Sequence, residues 1–457
     1  MRLSFLPIVY MAMTDPKTAP TTATSTTTAT TAAARMPTLR SFTYPKEGIL
    51  RTDSLQERTK EMGGLHTQGA PLSDEELDDI IHSIQNVYPN DTKDTIDFDR
   101  LRSTLQEIAH ISHKDWMVTE RNSKKLGKIL FPADTINDNA AARQLLERIL
   151  IEGNWDAAAK HDASTCNPWA VLVTGVNGIR KTTSIYQDWW PELLQEALVP
   201  PPWKTSPLGV EEEDLEISTR KRKAIDDVPL EQLPSGSNSF FRQLDHMIAT
   251  LCNEDFKALY CLTQKELCKS SDTTNPPEEL VTKYSNLKAA IFSRYRTLSE
   301  LLGAILLKEG QHLKSNCMME TSGRDVAMFH YVDHFFPKDY NKLALHFTIN
   351  DLSQAQASVD RRMVHEIQAG ISAIESKDDF RVIYANEGGP YGSEVLPAVQ
   401  EASDAVWNND VLPGKGVGQD WYKATIAINA HPTEPWTAQA VLPDGSLGVV
   451  FTFRKQS

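Results

Sequence analysis

The chain has 457 residues, a formal net charge of −14, 40% hydrophobic residues and 24% charged residues. That length allows two or three domains with sizeable cores, and the composition is that of a globular protein. The acidic balance argues against general binding to nucleic acid or to anionic membranes, and no apolar run is long enough to span a bilayer. The five cysteines, Cys166, Cys252, Cys261, Cys268 and Cys317, form no C-x-x-C pair. They read as reduced thiols and offer no zinc site.

In chain order, residues 1–45 come first: an apolar stretch, Leu3 to Met13, then a Thr/Ala-rich segment without acids, TAPTTATSTTTATTAAAR. Such a segment cannot bury a core. It reads either as an unstructured tail on a cytoplasmic protein or as an organellar import peptide, and both readings stay open. From residue 46 to 164 the pattern is that of a helical domain. SDEELDDIIHSIQNVY opens with Ser73 as an N-cap and acids in the first turn. NDTKDTIDFD lacks the central glycine and final glutamate of a calcium loop and reads as a plain helix connection.

The segment AVLVTGVNGIRKTTSIYQ, Ala170 to Gln187, holds the most chemical information. Ala170 to Thr174 is a buried-strand pattern. Gly175, Val176, Asn177, Gly178, Ile179, Arg180, Lys181, Thr182 and Thr183 follow, and then a helical pattern runs to Leu198. Strand, glycine turn and helix start make an anion cradle. In the G-x-x-x-x-G-K-[ST] pattern the lysine reaches the β and γ phosphates of ATP and the hydroxyl is a Mg²⁺ ligand. Gly175, Lys181 and Thr182 fit, so Thr182 is the expected metal ligand. Arg180 stands where the pattern has its second glycine.

Residues 204–237 are proline-rich, then acidic, then basic, and read as a flexible charged insertion; RKRK at 220–223 is either a nuclear signal or a solvated cluster. From Asn238 a helical pattern returns in FFRQLDHMIATLC and continues through YSNLKAAIFSRYRTLSELLGAILLKEG. A strand follows in NCMMETSGRD, ending at Glu320. DVAMFHYVDHFF reads as a helix, KLALHFTIND as a strand, and SQAQASVDRRMVHEIQAG as a helix stopping at Gly370. FRVIYAN, KATIAINAH and LGVVFTFR are further strand candidates. Strands alternating with helices after a phosphate loop predict an α/β domain over 165–457, with a parallel sheet and helices on both faces.

Glu320, Thr321 and Arg324 fall at the carboxyl end of a strand, the edge where α/β sheets bind ligands. Arg361 and Arg362, on the helix after the next strand, are candidates to clamp a transferred phosphate. The alternatives are a solvated helix face for the arginines and a buried structural carboxylate for Glu320. NEGGPYGSE from Asn386 reads as a surface turn or as a loop closing over a ligand.

Taken together, VTGVNGIRKTT, NSFFRQLDHMIATLCNEDFKALY, YSNLKAAIFSR, NCMMETSGRD and LALHFTINDLSQAQASVDRRMVHE resemble, in order and spacing, the zeta-toxin type of P-loop kinase, over about Ala170 to Gly370. The resemblance implies a P-loop kinase fold and transfer of the ATP γ-phosphate, with Mg²⁺, to a hydroxyl of a small molecule such as a UDP-linked amino sugar. It implies catalytic roles for Lys181, Glu320, Arg324 and one or both of Arg361 and Arg362. The family's aspartate ahead of F-[KR]-Q is replaced by Asn238-Ser239; Asp245, one short turn on, is the substitute candidate. Two other readings stay open, a non-catalytic nucleotide-binding module and a nucleotide hydrolase.

Overall fold

The computed structural model describes residues 55–57, 59, 69–87, 96–111, 113–131, 136, 139–160, 167–198, 228–269, 275–413, 417–431, 434–442 and 445–453. The Thr/Ala-rich tail, residues 204–227 of the charged insertion and Cys166 lie outside them.

The described residues open with helices. Ser73 caps α1 (Asp74–Val87) reciprocally: its Oγ accepts from the Glu76 N–H at 3.3 Å, and the Glu76 carboxylate accepts from the Ser73 N–H at 2.7 Å. Asp97 and Asp115 cap α2 (Phe98–Ile108) and α3 (Trp116–Leu130) from one side only, each carboxylate accepting one backbone N–H of the first turn. Three short helices follow, α4 (Ala140–Leu145), α5 (Glu147–Glu152) and α6 (Trp155–Ala158). Leu77, Ile80, Ile84 and Val87 of α1 are all buried. Each such side chain contributes about 1.5–3 kcal/mol relative to exposure.

Strand β1 (Trp169–Thr174) is buried along its whole length. Trp169, Val171 and Val173 enter one hydrophobic core, and Ala170 and Leu172 enter the other. That alternation is the two-residue period of a strand, and it means both faces are covered. The sheet has seven strands in the order β2-β3-β1-β4-β5-β6-β7. Strands β2 (Ser239–Arg242), β3 (Asn316–Glu320), β1, β4 (Asn341–Ile349) and β5 (Tyr422–Ile428) run parallel. Strands β6 (Thr437–Val441) and β7 (Leu447–Thr452) continue the sheet antiparallel. The class is therefore α/β with a mostly parallel sheet and helices on both faces.

The phosphate-loop segment leads into α7 (Lys181–Ile185) and, after a break, α8 (Trp190–Leu198), which packs in the second core. The continuous helix expected to Leu198 is thus two pieces; Pro191, at home in a first turn, starts the second. On the other face lie α9 (Leu244–Leu251), α10 (Asn253–Leu267), α11 (Glu278–Arg294), α12 (Arg296–His312) and α13 (Ala327–Phe335). The long helix α14 (Leu352–Ser376), α15 (Asp379–Ala385) and α16 (Leu396–Val406) complete the path to β5.

Three expectations need correction. Residues 239–242 are strand β2 and not the start of a helix: all four are buried beside β3, and the helix begins only at Leu244. The helix of Ser353 to Gly370 runs on to Ser376, where Lys377 at φ 55° ends it; Gly370 instead lets the Tyr260 ring pack against its bare Cα. FRVIYAN is not a strand but the body of α15, capped by the Asp378 side chain. A short apolar run does not distinguish the two states, and here the aspartate cap decides.

The described residues from Leu55 to Phe453 fall in one compact unit. The core on the α9–α13 face runs without interruption from Leu77 and Leu126 to Met319 and Ile367. Helix α3 packs on α12, which carries the amino-terminal helices to the carboxyl edge of the sheet.

Candidate functional site

The loop after β1 is built as its sequence requires. Gly175 has φ 125° and Gly178 has φ 84°. A Cβ at Gly175 would strike the Phe347 carbonyl oxygen, and one at Gly178 would lie 2.5 Å from that of Ala355. Both positions therefore demand glycine. Val176 and Ile179 are buried and pin the loop to the second core. Arg180 has φ 63° and ψ 24° and is exposed. It adopts the left-handed backbone that glycine would take at this position, so the loop keeps its course at a cost of about 1–2 kcal/mol. Beneath the loop the buried His346 ring bridges Thr174 Oγ1 at 2.9 Å and Asp404 at 3.1 Å.

Parallel pairing sets Val173 of β1 beside Glu320 of β3. The Thr321 N–H donates to the Val173 carbonyl at 3.0 Å, so the two strand ends are locked together. The Lys181 ammonium, 3% exposed, lies 3.0 Å from Glu320 Oε1. It also donates to the carbonyls of Gly175 at 2.7 Å and Val176 at 2.6 Å. The Thr182 hydroxyl donates to Glu320 Oε2 at 3.1 Å. A carboxylate, a hydroxyl and an ammonium thus meet at the loop, as hard oxygen donors beside a cation. Among the described residues no group of three His, Cys, Asp or Glu side chains is arranged to hold a metal by itself.

Asp245, in the first turn of α9, faces the same space. Burial drives its pKa above the usual carboxylate range; Lys288 and Arg362 pull it down, and Glu320 and Glu366 push it up. Lys288 and Glu366 form a buried ion pair at 2.7 Å. Glu366 also accepts from the Tyr284 hydroxyl and, at 3.0 Å, from the Glu387 N–H. Burial pulls Lys288 below its ordinary value, and Glu366 opposes that shift. The buried Nε and Nη2 of Arg362 have no hydrogen-bond partner. A Cβ on Gly388 would come within 2.6 Å of Arg362 Nη1.

Asp245 and Glu320 border a cavity of about 280 Å³. Asn177, Asp245, Glu320 and Arg324 line one side of it; His113, Lys114 and Trp116, from the amino-terminal helices, line another. Gly389, Pro390 and Tyr391 contribute a third wall. Arg324 donates to the Tyr391 hydroxyl at 2.6 Å and also lies over its ring. Lys114 pairs with Asp325 at 3.1 Å across the rim. Burial holds His113, on this wall, below its usual pKa.

The structure therefore brings Lys181, Thr182, Glu320, Asp245, Asn177 and Arg324 together, with Arg362 adjoining Asp245. Arg361 is not among them: it is exposed and donates to Ala357 of its own helix at 3.2 Å. Thr183 is exposed, and its carbonyl accepts from Gln187. The glycine-rich segment from Asn386 lies against the site. Arg148, buried, fixes it by donating to the carbonyls of Ile383 and Asn386. Sequence reasoning missed His113, Lys114, Trp116, Arg242, Lys288 and Arg296. Only Arg242 had a local signal, its place at the end of an apolar run. No family model, no curated protein and no solved structure matches the chain. Among the described residues no helix is long and apolar enough to cross a membrane.

Proposed function

We propose that the chain is an ATP-dependent phosphotransferase of P-loop type, acting on a hydroxyl of a small molecule. One observation carries the reading: Lys181 and Thr182 of the glycine loop both converge on Glu320, at the mouth of a cavity that also holds Asp245. The loop suits a nucleotide phosphate as a glycine turn between a buried strand and a helix start, the arrangement of an anion cradle. Thr182 and Glu320 fit Mg²⁺, which takes few protein oxygens and completes its shell with phosphate and water. Bound Mg-ATP supplies the transferable phosphoryl group.

The chain's own residues divide the remaining work. Lys181 and Arg362 offset the negative charge that develops on the transferred group. Asp245 accepts the proton of the acceptor hydroxyl as its oxygen bonds to phosphorus and the bond to ADP breaks. A raised carboxylate pKa suits that role, since a base is most effective when its pKa lies near the working pH. Arg324 and Tyr391 hold the acceptor's other end or the loop over it. The resemblance to zeta-toxin kinases supports the same reading. It departs from them in Arg180 and in having Asp245 in place of the acid expected near Ser239.

A second reading, nucleotide binding without turnover, draws on the present partners of Lys181. Its ammonium is satisfied by two carbonyls and a carboxylate and has to exchange one of them to reach a phosphate. Calorimetric titration with Mg-ATP, beside Lys181→Ala, tests both. Binding by the wild type that vanishes in a folded mutant, with transfer to a hydroxyl acceptor, supports the phosphotransferase. Binding without transfer to a broad acceptor panel favours the module, and phosphate release without an acceptor favours a hydrolase. Equal binding by both proteins rules out the lysine assignment.

A further inference from the structure

We propose that the floor of the cavity is an anion subsite, in which Arg242 and Arg296 hold a single phosphate or carboxylate of an acceptor no larger than a sugar phosphate. Its role as acceptor subsite rests on the phosphotransferase reading; the anion site itself does not.

The argument starts from charge. Arg242 ends β2 and is 1% exposed, yet it lines the cavity. Its Nη2 is used on the fully buried Glu300 carboxylate. Its Nε and Nη1 have no hydrogen-bond partner; the Nε side lies against Gly303 of α12. The Tyr331 ring beneath it, 4.9 Å away, favours the cation but accepts no conventional hydrogen bond. Arg296, also on the cavity, reaches the second Glu300 oxygen only at 3.7 Å, and its buried Nε is unpartnered. Two guanidiniums, Arg242 fully buried and Arg296 partly exposed, therefore share one carboxylate, and one positive charge is left over. Buried cations with unmade hydrogen bonds are costly unless a ligand meets them.

The other charges around the cavity do not supply that anion. Asp325 spends its side-chain hydrogen bond on Lys114 and reaches Arg296 only through its field, Glu320 is engaged by Lys181, and Asp245 stands in the field of Lys288 and Arg362. Geometry assigns the acceptor's direction. Arg242 and Asp245 are three residues apart at the carboxyl end of β2, so an acceptor anchored by its anion on Arg242 presents a hydroxyl to Asp245 and the phosphate loop. Size assigns its class. About 280 Å³ lies just below the 300–1,000 Å³ of ordinary ligand pockets. Trp116 and His113 are among the residues that wall it. The acceptor is a hydroxy acid or a sugar phosphate, and not a sugar nucleotide.

Calorimetric titration of the full chain with inorganic phosphate, glycerate, glucose 6-phosphate and UDP-N-acetylglucosamine tests this. The variants are Arg296→Gln, the paired change Arg242→Met with Glu300→Met, and Lys181→Ala. The paired change removes the buried cation and carboxylate together, and Arg296→Gln, at a partly exposed site, guards against a folding failure in it. The expected result is a phosphate site that each arginine change weakens roughly 10-fold or more, as charge-assisted hydrogen bonds require, and that persists in Lys181→Ala beside any loss of phosphate at the glycine loop. Tighter binding of glycerate than of phosphate assigns the subsite to a carboxylate, and the reverse to a phosphate. Phosphate binding lost only in Lys181→Ala places the anion on the glycine loop and overturns the subsite while leaving the loop reading intact. Displacement of phosphate by UDP-N-acetylglucosamine as readily as by glucose 6-phosphate overturns the size limit. Arginine-dependent phosphate binding in a chain that does not bind Mg-ATP sinks the phosphotransferase reading and keeps the subsite.

Discussion

The glycine loop after β1 and the cavity it opens on are built by opposite means. The loop is nine consecutive residues whose conformation is fixed by their own backbone, two glycines and two buried anchors, Val176 and Ile179. The cavity is assembled from an amino-terminal helix start, the ends of β2 and β3, α11, α12 and a segment beyond α15, held in place by buried ion pairs between distant residues. A local device tolerates a foreign residue, as Arg180 shows. An assembled one depends on every partner. Mutations on the two sides should therefore fail differently, the loop by losing chemistry and the wall by losing the fold.

The sharpest test of the chemistry is Asp245→Asn. As the acceptor-facing base it should lower kcat by roughly 10²–10⁴-fold while leaving Mg-ATP affinity within a few-fold. The pH profile carries a sign. The raised pKa of Asp245 means that activity falls, on the acid side, at a higher pH than for an ordinary aspartate. Arg362 pulls that pKa down, so Arg362→Gln should move the acid limb to higher pH still, with Asp245 protonated over more of the range. An acid limb that stays put in Arg362→Gln, in an active variant, would separate Arg362 from Asp245.

This contrast also explains what the sequence made legible. Strand, glycines, lysine and hydroxyl are a one-dimensional pattern, and Glu320 was readable because it closes an apolar strand. The parallel sheet followed from alternation. The misread elements were those decided by distant packing. Residues 239–242 look helical until β3 lies beside them, and Gly370 looks like a stop until Tyr260 fills the space over it. Of the adjacent pair, Arg361 and Arg362, only the helix's orientation on α10 and α11 distinguishes the exposed one from the one at Asp245. Nothing in one dimension says that Lys114 will meet Asp325, 211 residues later.

The wall's dependence on long-range pairs is tested by Lys288→Met. Removing the ammonium leaves the buried Glu366 carboxylate with only the Tyr284 hydroxyl and the Glu387 N–H. Breaking a buried pair from one side costs about 3–5 kcal/mol, so the urea midpoint should fall markedly. Adding Glu366→Leu removes the orphaned charge and should recover part of the loss. A single mutant as stable as the wild type would mean that the pair is solvated, and that the wall is as tolerant as the loop.

The smallest effect tests the loop's tolerance directly. Arg180 holds a left-handed backbone at φ 63°, which disfavours a side chain by about 1–2 kcal/mol. Arg180→Gly relieves that strain but gives back about 0.5–1 kcal/mol in chain entropy. The net expectation is a stabilisation of up to about 1 kcal/mol, read as a small rise in the urea midpoint with an unchanged slope. The accompanying Mg-ATP titration separates the two parts of the residue. Unchanged affinity assigns Arg180 to backbone tolerance alone, whereas weaker binding assigns its exposed guanidinium to the nucleotide. A destabilised glycine variant would show that side-chain contacts of Arg180 outweigh its strain, and that even this local device leans on its surroundings.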